Sequence, residues 1–296
     1  MKNKIFNLFK KYILFFAHKK YPNIRKRKYS LEYYLDNFYL MLNDLCRWES
    51  LKLIHKDANK YHYKTIYNEY NRWSNDNIFI DAFSAFVNEN YFKISKLRKN
   101  KKITLFIDVT KINNLYGSDY VYMNNEYCKK NVTPLTVISD QYGLPLAFRH
   151  IDHSKYFGMR KSHVHELKNT QKTLNKITLK VKDYVDVSLT GDKAYISNET
   201  YDALSKKIKL IAPKRKNQKT KNTKKEKDLM SKRYIIEHLN GNIKKYNRIY
   251  VRKDRTFKNY SSFMCIIFLL KYFVHIEKLN DNKLIKYLEK NIYNKE

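Results

Sequence analysis

The spacing of apolar residues changes near residue 100, and no single-layer fold accommodates both halves of that change. In "SLEYYLDNFYLMLNDLCRW", Leu31, Leu35, Phe38, Leu42 and Leu45 recur at helical spacing behind Ser30, a residue suited to cap a helix. Further helices are expected over "KYHYKTIYNEYNRW" (60–73) and "IFIDAFSAFVNENYF" (78–92). The charge run "KISKLRKNKK" (93–102) reads as a linker. Beyond it, "ITLFIDVTKI" (103–112), "NVTPLTVIS" (131–139) and "LPLAFRHI" (144–151) are β-branched or aliphatic runs, the last two joined by the turn signal "DQYG". They predict an antiparallel meander. A helix over 163–181, a strand over 185–192, a helix over 197–208 and a strand over 209–213 complete the pattern. The expected fold class is α/β, a mixed sheet flanked by helices and preceded by a helical region.

Charge narrows the partners. Lys and Arg number 61 against 28 Asp and Glu, a formal net charge of +33, and a polyanion is the natural neutraliser of such an excess. AT-rich coding favours Lys, Asn, Ile and Tyr and explains part of the lysine content. The run "KRKNQKTKNTKKEKDLMSKR" (214–233) sets ten basic residues against Glu226 and Asp228. It reads as an exposed loop leading into a helix that grips a phosphate backbone, starting with Lys214, Arg215 and Lys216. In the helical region, the helix over 60–73 offers Tyr63, Lys64, Tyr67, Asn68 and Arg72 to DNA if it belongs to a helix-turn-helix unit. A plain bundle with a polar outer face is the other reading. Trp48 and Trp73 are expected to pack within this unit.

Other classes are disfavoured. Cys46, Cys128 and Cys265 are far apart and outside any C-x-x-C spacing, which argues against a disulfide framework and a zinc site and fits a reducing compartment. His153, His163, His165 and Glu166 lack the H-E-x-x-H spacing of a helical zinc site. The N-terminal "IFNLFKKYILFFA" is interrupted by Lys10 and Lys11, so the first residues, to "RKRK" (25–28), read as a basic arm rather than a signal peptide. "FMCIIFLL" (263–270) is too short to span a bilayer and reads as part of a buried C-terminal helix.

Acids mark the candidate site. Asp108 follows "ITLFI" and Asp192 follows "VSLTG", so each stands where a buried strand is expected to end. A carboxylate there is costly unless a cation or hydrogen-bond donor compensates it. Turn or cap formation is the ordinary role of a single such Asp. Glu237, on an expected helix, has Arg233 four residues before it and Lys244 seven after, all on about one side. Three carboxylates suit Mg2+, with Mn2+ able to substitute. Two ions roughly 4 Å apart would activate a water or a 3′-hydroxyl and stabilise the leaving oxygen at phosphorus.

The pattern R-x-x-x-E-x-x-x-x-x-x-K in "SKRYIIEHLNGNIKKYNRI" (231–249), together with "IDVT" and "TGDKAY", resembles the DDE transposases of bacterial-type insertion sequences. "YHYKTIYNEYNRWSNDNIF", "APKRKNQKTKN" and "YNRIYVRKDRTFKNYSSF" extend the resemblance to about residues 30–275. It implies an RNase H-like catalytic fold, a metal-binding catalytic triad of Asp108, Asp192 and Glu237, and DNA contacts by Arg233 and Lys244. One position departs: some of these families carry Tyr three residues before the motif Arg, where this chain has Met230.

The domain expectation is a basic arm (1–29), a helical DNA-binding region (30–95) and an RNase H-like catalytic domain with C-terminal helices (96–296). The functional expectation is a transposase that cuts and joins DNA at the ends of its own element. It would act as a homodimer on double-stranded DNA and away from membranes, in a prokaryotic cytoplasm or in a nucleus or viral factory. A transposase-derived protein that binds DNA without cutting is the main alternative. A basic ribosome-associated protein is a weaker one.

Overall fold

A computed structural model of the chain describes residues 3–22, 28–43, 47–54, 62–95, 102–124, 130–150, 186–192, 208–214 and 221–293. By contact the chain divides into two compact units. One comprises Met1–Ile94, Leu115–Asp119 and Lys244–Glu296, and the other Ser95–Asn114 and Tyr120–Ile243.

The first unit is helical: α1 (Asn3–Lys20), α2 (Leu31–Asn43), α3 (Leu51–Ile54), α4 (Tyr63–Asn75) and α5 (Ile78–Ile94) at the N-terminal end, and α8 (Asn247–Tyr250), α9 (Phe257–Leu279) and α10 (Asn282–Tyr293) at the other. Ser30 Oγ accepts the Tyr33 N–H at 3.1 Å, the cap its sequence position suggested. The centre is α9, buried on nearly all sides from Phe257 to Ile276, as an all-apolar helix must be. It packs against α1, α4 and α5. Tyr70 stacks on Phe263 at 4.5 Å between centroids, and Phe86 meets Phe273 at 5.0 Å. Trp73 is fully buried and donates to Glu69 Oε1 at 3.0 Å, while Trp48 lies beside Tyr67, Tyr70 and Phe38. Both tryptophans therefore pack, as expected.

The segment read as a basic arm instead contains a core helix. Ile5, Leu8, Phe9, Tyr12, Ile13 and Ala17 of α1 are all buried, because their spacing forms one apolar stripe that α5 and α9 cover. The lysines that suggested an arm lie off that stripe: Lys10 pairs with Asp36 at 2.9 Å and Glu32 at 3.1 Å on α2. Residues 244–296, grouped with the catalytic domain in the sequence reading, cluster with the N-terminal helices. No helix among the described residues is long and apolar enough to cross a membrane.

The second unit holds a mixed sheet of β1 (Lys102–Asn114), β2 (Tyr122–Asn124), β3 (Lys130–Asp140), β4 (Pro145–His150), β5 (Asp186–Thr190) and β6 (Ile208–Ile211). Its order is β2-β3-β1-β5-β6, with β4 also paired to β3. The β1–β3 and β3–β4 pairs are antiparallel, giving the expected meander with the short β2 added. The β1–β5 and β5–β6 pairs are parallel. Two helices follow, α6 (Lys224–Ser231) and α7 (Tyr234–Ile243), and α7 packs on β1 and β3. This is the mixed sheet with flanking helices that the sequence led us to expect. The helices expected over 163–181 and 197–208 lie outside the described residues, apart from Ile208, which begins β6.

The β3–β4 connection is built by Asp140, whose Oδ1 accepts the N–H groups of Tyr142 and Leu144, both at 2.9 Å. Gly143 takes φ +73° there, a conformation that favours glycine. A side chain at this position would meet Ile235 of α7 at 3.5 Å. Asp140 is thus a buried acid that shapes this turn.

Candidate active site

The parallel ladder brings two acids together. Lys102 pairs with Asp186 and Phe106 with Thr190. The ladder ends at that pair, two residues before Asp108 and two before Asp192, and so brings the two acids to one neighbourhood. The Gly191 N–H donates to the Ile211 carbonyl at 3.2 Å, which keeps the chain along β6 as β5 ends. Asp108 itself stays in the β1–β3 ladder opposite Val137. Asp192 therefore stands just past the carboxyl end of β5, as expected, whereas Asp108 lies in the middle of β1, which continues to Asn114 rather than ending at the acid.

The third acid arrives on α7. Ile236, Leu239, Asn240 and Ile243 form its buried face, and Glu237 lies beside that face with its side chain 57% exposed. Arg233 occupies the turn between α6 and α7, and its carbonyl accepts the N–H groups of Ile236 and Glu237. Its guanidinium reaches all three acids. Nη2 lies 3.8 Å from Asp108 Oδ1 and 3.8 Å from Glu237 Oε1, and Nη1 lies 3.8 Å from Asp192 Oδ1. These are charge contacts too long to be hydrogen bonds. Arg233 Nε is buried without a hydrogen-bond partner among the described residues. The structure thus joins Asp108, Asp192 and Glu237 at one point and places Arg233 at that point, with the arginine side chain only 19% exposed.

Asp108 is the deepest of the three. Burial pushes its carboxyl above the usual aspartate range, against the opposing pull of Arg233, a hydrogen bond from Asn240 and one from the Val109 backbone. Asn240 Nδ2 donates to Asp108 Oδ2 at 2.8 Å. Sequence reasoning overlooked Asn240. Its signal was an amide three residues after Glu237, on the helix side that otherwise carries Ile236, Leu239 and Ile243.

The remaining expected residues are dispersed. The Lys214 N–H donates to Asn222 Oδ1 at 3.0 Å, and Asn222 Nδ2 donates to the Ala212 carbonyl at 3.1 Å, closing the neck of the basic run. Arg215 and Lys216 lie outside the described residues, as do His153, His163, His165 and Glu166. Lys244 is the first residue after α7 and belongs to the helical unit. Lys64 and Arg72 both lie on the exposed side of α4, with Asn68 between them. The Arg72 guanidinium sits 4.5 Å over the Tyr21 ring and 3.9 Å from Glu69.

The donor set suits a hard divalent cation in kind, since Asp108, Asp192 and Glu237 supply carboxylate oxygen. Taken alone, three carboxylates and one guanidinium are formally two charges negative. As the side chains stand, no group of three or more acids, histidines or cysteines among the described residues is close enough to hold a metal. The three acids meet through Arg233 rather than directly.

Comparison with known proteins bears on the same residues. Residues 163–257 match the family model described as the transposase DDE domain. That span contains Asp192, Arg233 and Glu237 and excludes the strand of Asp108. No curated protein matches the chain. Among solved structures, the crystal structure of a pre-cleavage Mos1 transpososome overlaps it with a TM-score of 0.33 and 10% identity, covering 91% of this chain and 79% of that one. An overlap that loose carries no argument. The family match takes in β5, β6, α6 and the helix bearing Glu237, and over that stretch this chain resembles the DDE domain of transposases.

Proposed function

We propose that the chain cuts and joins DNA at the ends of its own mobile element, with Asp108, Asp192 and Glu237 as the carboxylates that hold divalent metal. One observation carries this reading: acids from β1, the end of β5 and α7 converge on a single cationic group. Magnesium bound there would lower the cost of generating the attacking oxygen and of charging the leaving one.

The chain's own residues have separable tasks. Asp108 is held within β1 and Asp192 just past the end of the adjacent β5, so the sheet constrains their spacing. Glu237 is half-exposed and can follow α7. Among the described residues Arg233 meets the acids through charge contacts of 3.8 Å, and a DNA phosphate is a competing anion that could draw its guanidinium out of the cluster. Lys244, Lys214, Arg215, Lys216, Lys64 and Arg72 are proposed to contact backbone phosphates, in keeping with the net charge of +33. The partner would be double-stranded DNA, bound by a homodimer, wherever in the cell the element's DNA resides.

The seat of Arg233 favours a second reading, in which the acids are permanently neutralised and the chain binds DNA without cutting it. Cleavage of a labelled element-end fragment in Mg2+ separates the two. Asp108→Asn, Asp192→Asn and Glu237→Gln should each reduce cutting to background while end binding stays near wild type. Undiminished cutting by any one variant removes that residue from the triad. No cutting by the wild-type chain in Mg2+ or Mn2+ supports the second reading.

A further inference from the structure

We propose that Asn240 is a positioning residue for the cutting site, holding Asp108 so that one carboxylate oxygen is tied into the protein and the other faces the point shared by the three acids. The inference rests on the reading of Asp108 as a metal-binding residue. The two oxygens of Asp108 have different partners: Oδ2 accepts from Asn240 Nδ2 at 2.8 Å, while Oδ1 is the oxygen near Arg233. A carboxylate held by one oxygen cannot turn about its terminal bond without breaking that hydrogen bond. The orientation of the amide follows from chemistry, since an ionised carboxylate only accepts and must therefore face the NH2 group.

Burial adds a second argument. Asn240 is 6% exposed on a helix face whose other members are Ile236, Leu239 and Ile243. Its Oδ1 has no hydrogen-bond partner among the described residues. A buried amide with an unsatisfied oxygen is costly, and packing alone would be better served by leucine. The hydrogen bond to Asp108 gives the amide a use at that position. Partners of this kind, behind a metal-binding carboxylate, commonly change metal affinity by about 10–100-fold when removed.

The test is Mn2+ binding to the full-length chain without DNA, read by electron paramagnetic resonance of the free ion, alongside thermal melting. The variants are Asn240→Leu, Asp108→Asn and the double substitution. Asn240→Leu should melt near wild type and bind Mn2+ about 10–100-fold more weakly. Its cleavage of an element end should recover as metal is raised. In the Asp108→Asn background the leucine should cause no further loss, because its effect passes through Asp108. Wild-type Mn2+ affinity in a folded Asn240→Leu chain overturns the proposal, as does an equal further loss in the Asp108→Asn background. Should leucine prevent folding, Asn240→Ala removes the amide without adding volume and is read in the same way. If Asp108→Asn loses Mn2+ and the Asn240 variants keep it, only the positioning role fails. If Asp108→Asn binds as the wild type does, the metal reading of the site fails with it.

Discussion

At the residue scale, the site combines one expensive acid with two accessible ones. Asp108 has a side chain 24% exposed, against 58% for Asp192 and 57% for Glu237. Because burial raises its pKa in the folded chain, the native state holds the proton of Asp108 more tightly than the unfolded state does. The sign follows: the contribution of Asp108 to stability is intact at acid pH and is lost as pH rises through its raised pKa. Asp108→Asn should therefore melt higher than wild type at neutral pH without metal, by about 2–4 °C for each kcal/mol recovered. The difference should shrink as pH falls toward the ordinary aspartate range. A melting series of both chains from pH 4 to 8 in a chelator checks this, and an advantage over wild type no larger at pH 7 than at pH 4 contradicts it. The acids were legible because each interrupts or closes an apolar run. Asn240 was not, because an Asn on a helix has too many ordinary roles to stand out before its neighbour is known.

At the element scale, register and capping decide what meets what. The sequence pattern identifies β1 and β5 as strands, while the parallel pairing that ends at Phe106 and Thr190 is what brings Asp108 and Asp192 to one neighbourhood. A slip of one residue would turn one acid to the opposite face. The helix carrying Glu237 is shorter than the motif suggests. It runs from Tyr234 to Ile243, so Arg233 and Lys244 each fall one residue outside it. Neither Pro nor Gly marks those ends, so no breaker signal revealed them. Helix α6 is fixed by a capping box: Thr223 Oγ1 accepts the Glu226 N–H at 3.2 Å, and Glu226 Oε2 accepts the Thr223 N–H at 3.0 Å. That backbone hydrogen bond, helped by Lys209 at 3.2 Å, holds the Glu226 carboxyl below its usual range. Thr223→Ala should cost about 1 kcal/mol in denaturant unfolding. Glu226→Gln should be less stable than wild type at neutral pH, and the gap should close as pH falls through the carboxylate range, since a depressed pKa gives stability only above it. A gap that stays constant from pH 7 to pH 3 would contradict this account.

At the scale of the whole molecule, the chain does not divide at the composition break alone. The change of period near residue 100 correctly separates helical from sheet-forming sequence. The helical unit nevertheless draws on three stretches, with α9 supplying its centre. Tyr70 donates its hydroxyl hydrogen to the Asn259 carbonyl at 2.6 Å, and Asp119 joins the same unit by accepting the Phe257 N–H at 2.8 Å and pairing with the fully buried Arg252. A fragment ending at Ile94 would uncover Tyr70, Phe83 and Phe86, buried rings whose partners Phe263, Phe268 and Phe273 lie on α9. It should fail to fold alone, giving poorly dispersed amide resonances and no cooperative melt. A cooperative melt of residues 1–94 would show that the N-terminal helices form an independent module. From the sequence by itself came the fold class, the strand runs, the buried C-terminal helix and the three acids, because each leaves a local trace in spacing or composition. Only the tertiary structure decided that α1 is core, that α9 organises the helical unit, and that Arg233 and Asn240 attend the acids. Those outcomes depend on which faces come together, and one-dimensional spacing records that a face exists without recording what covers it.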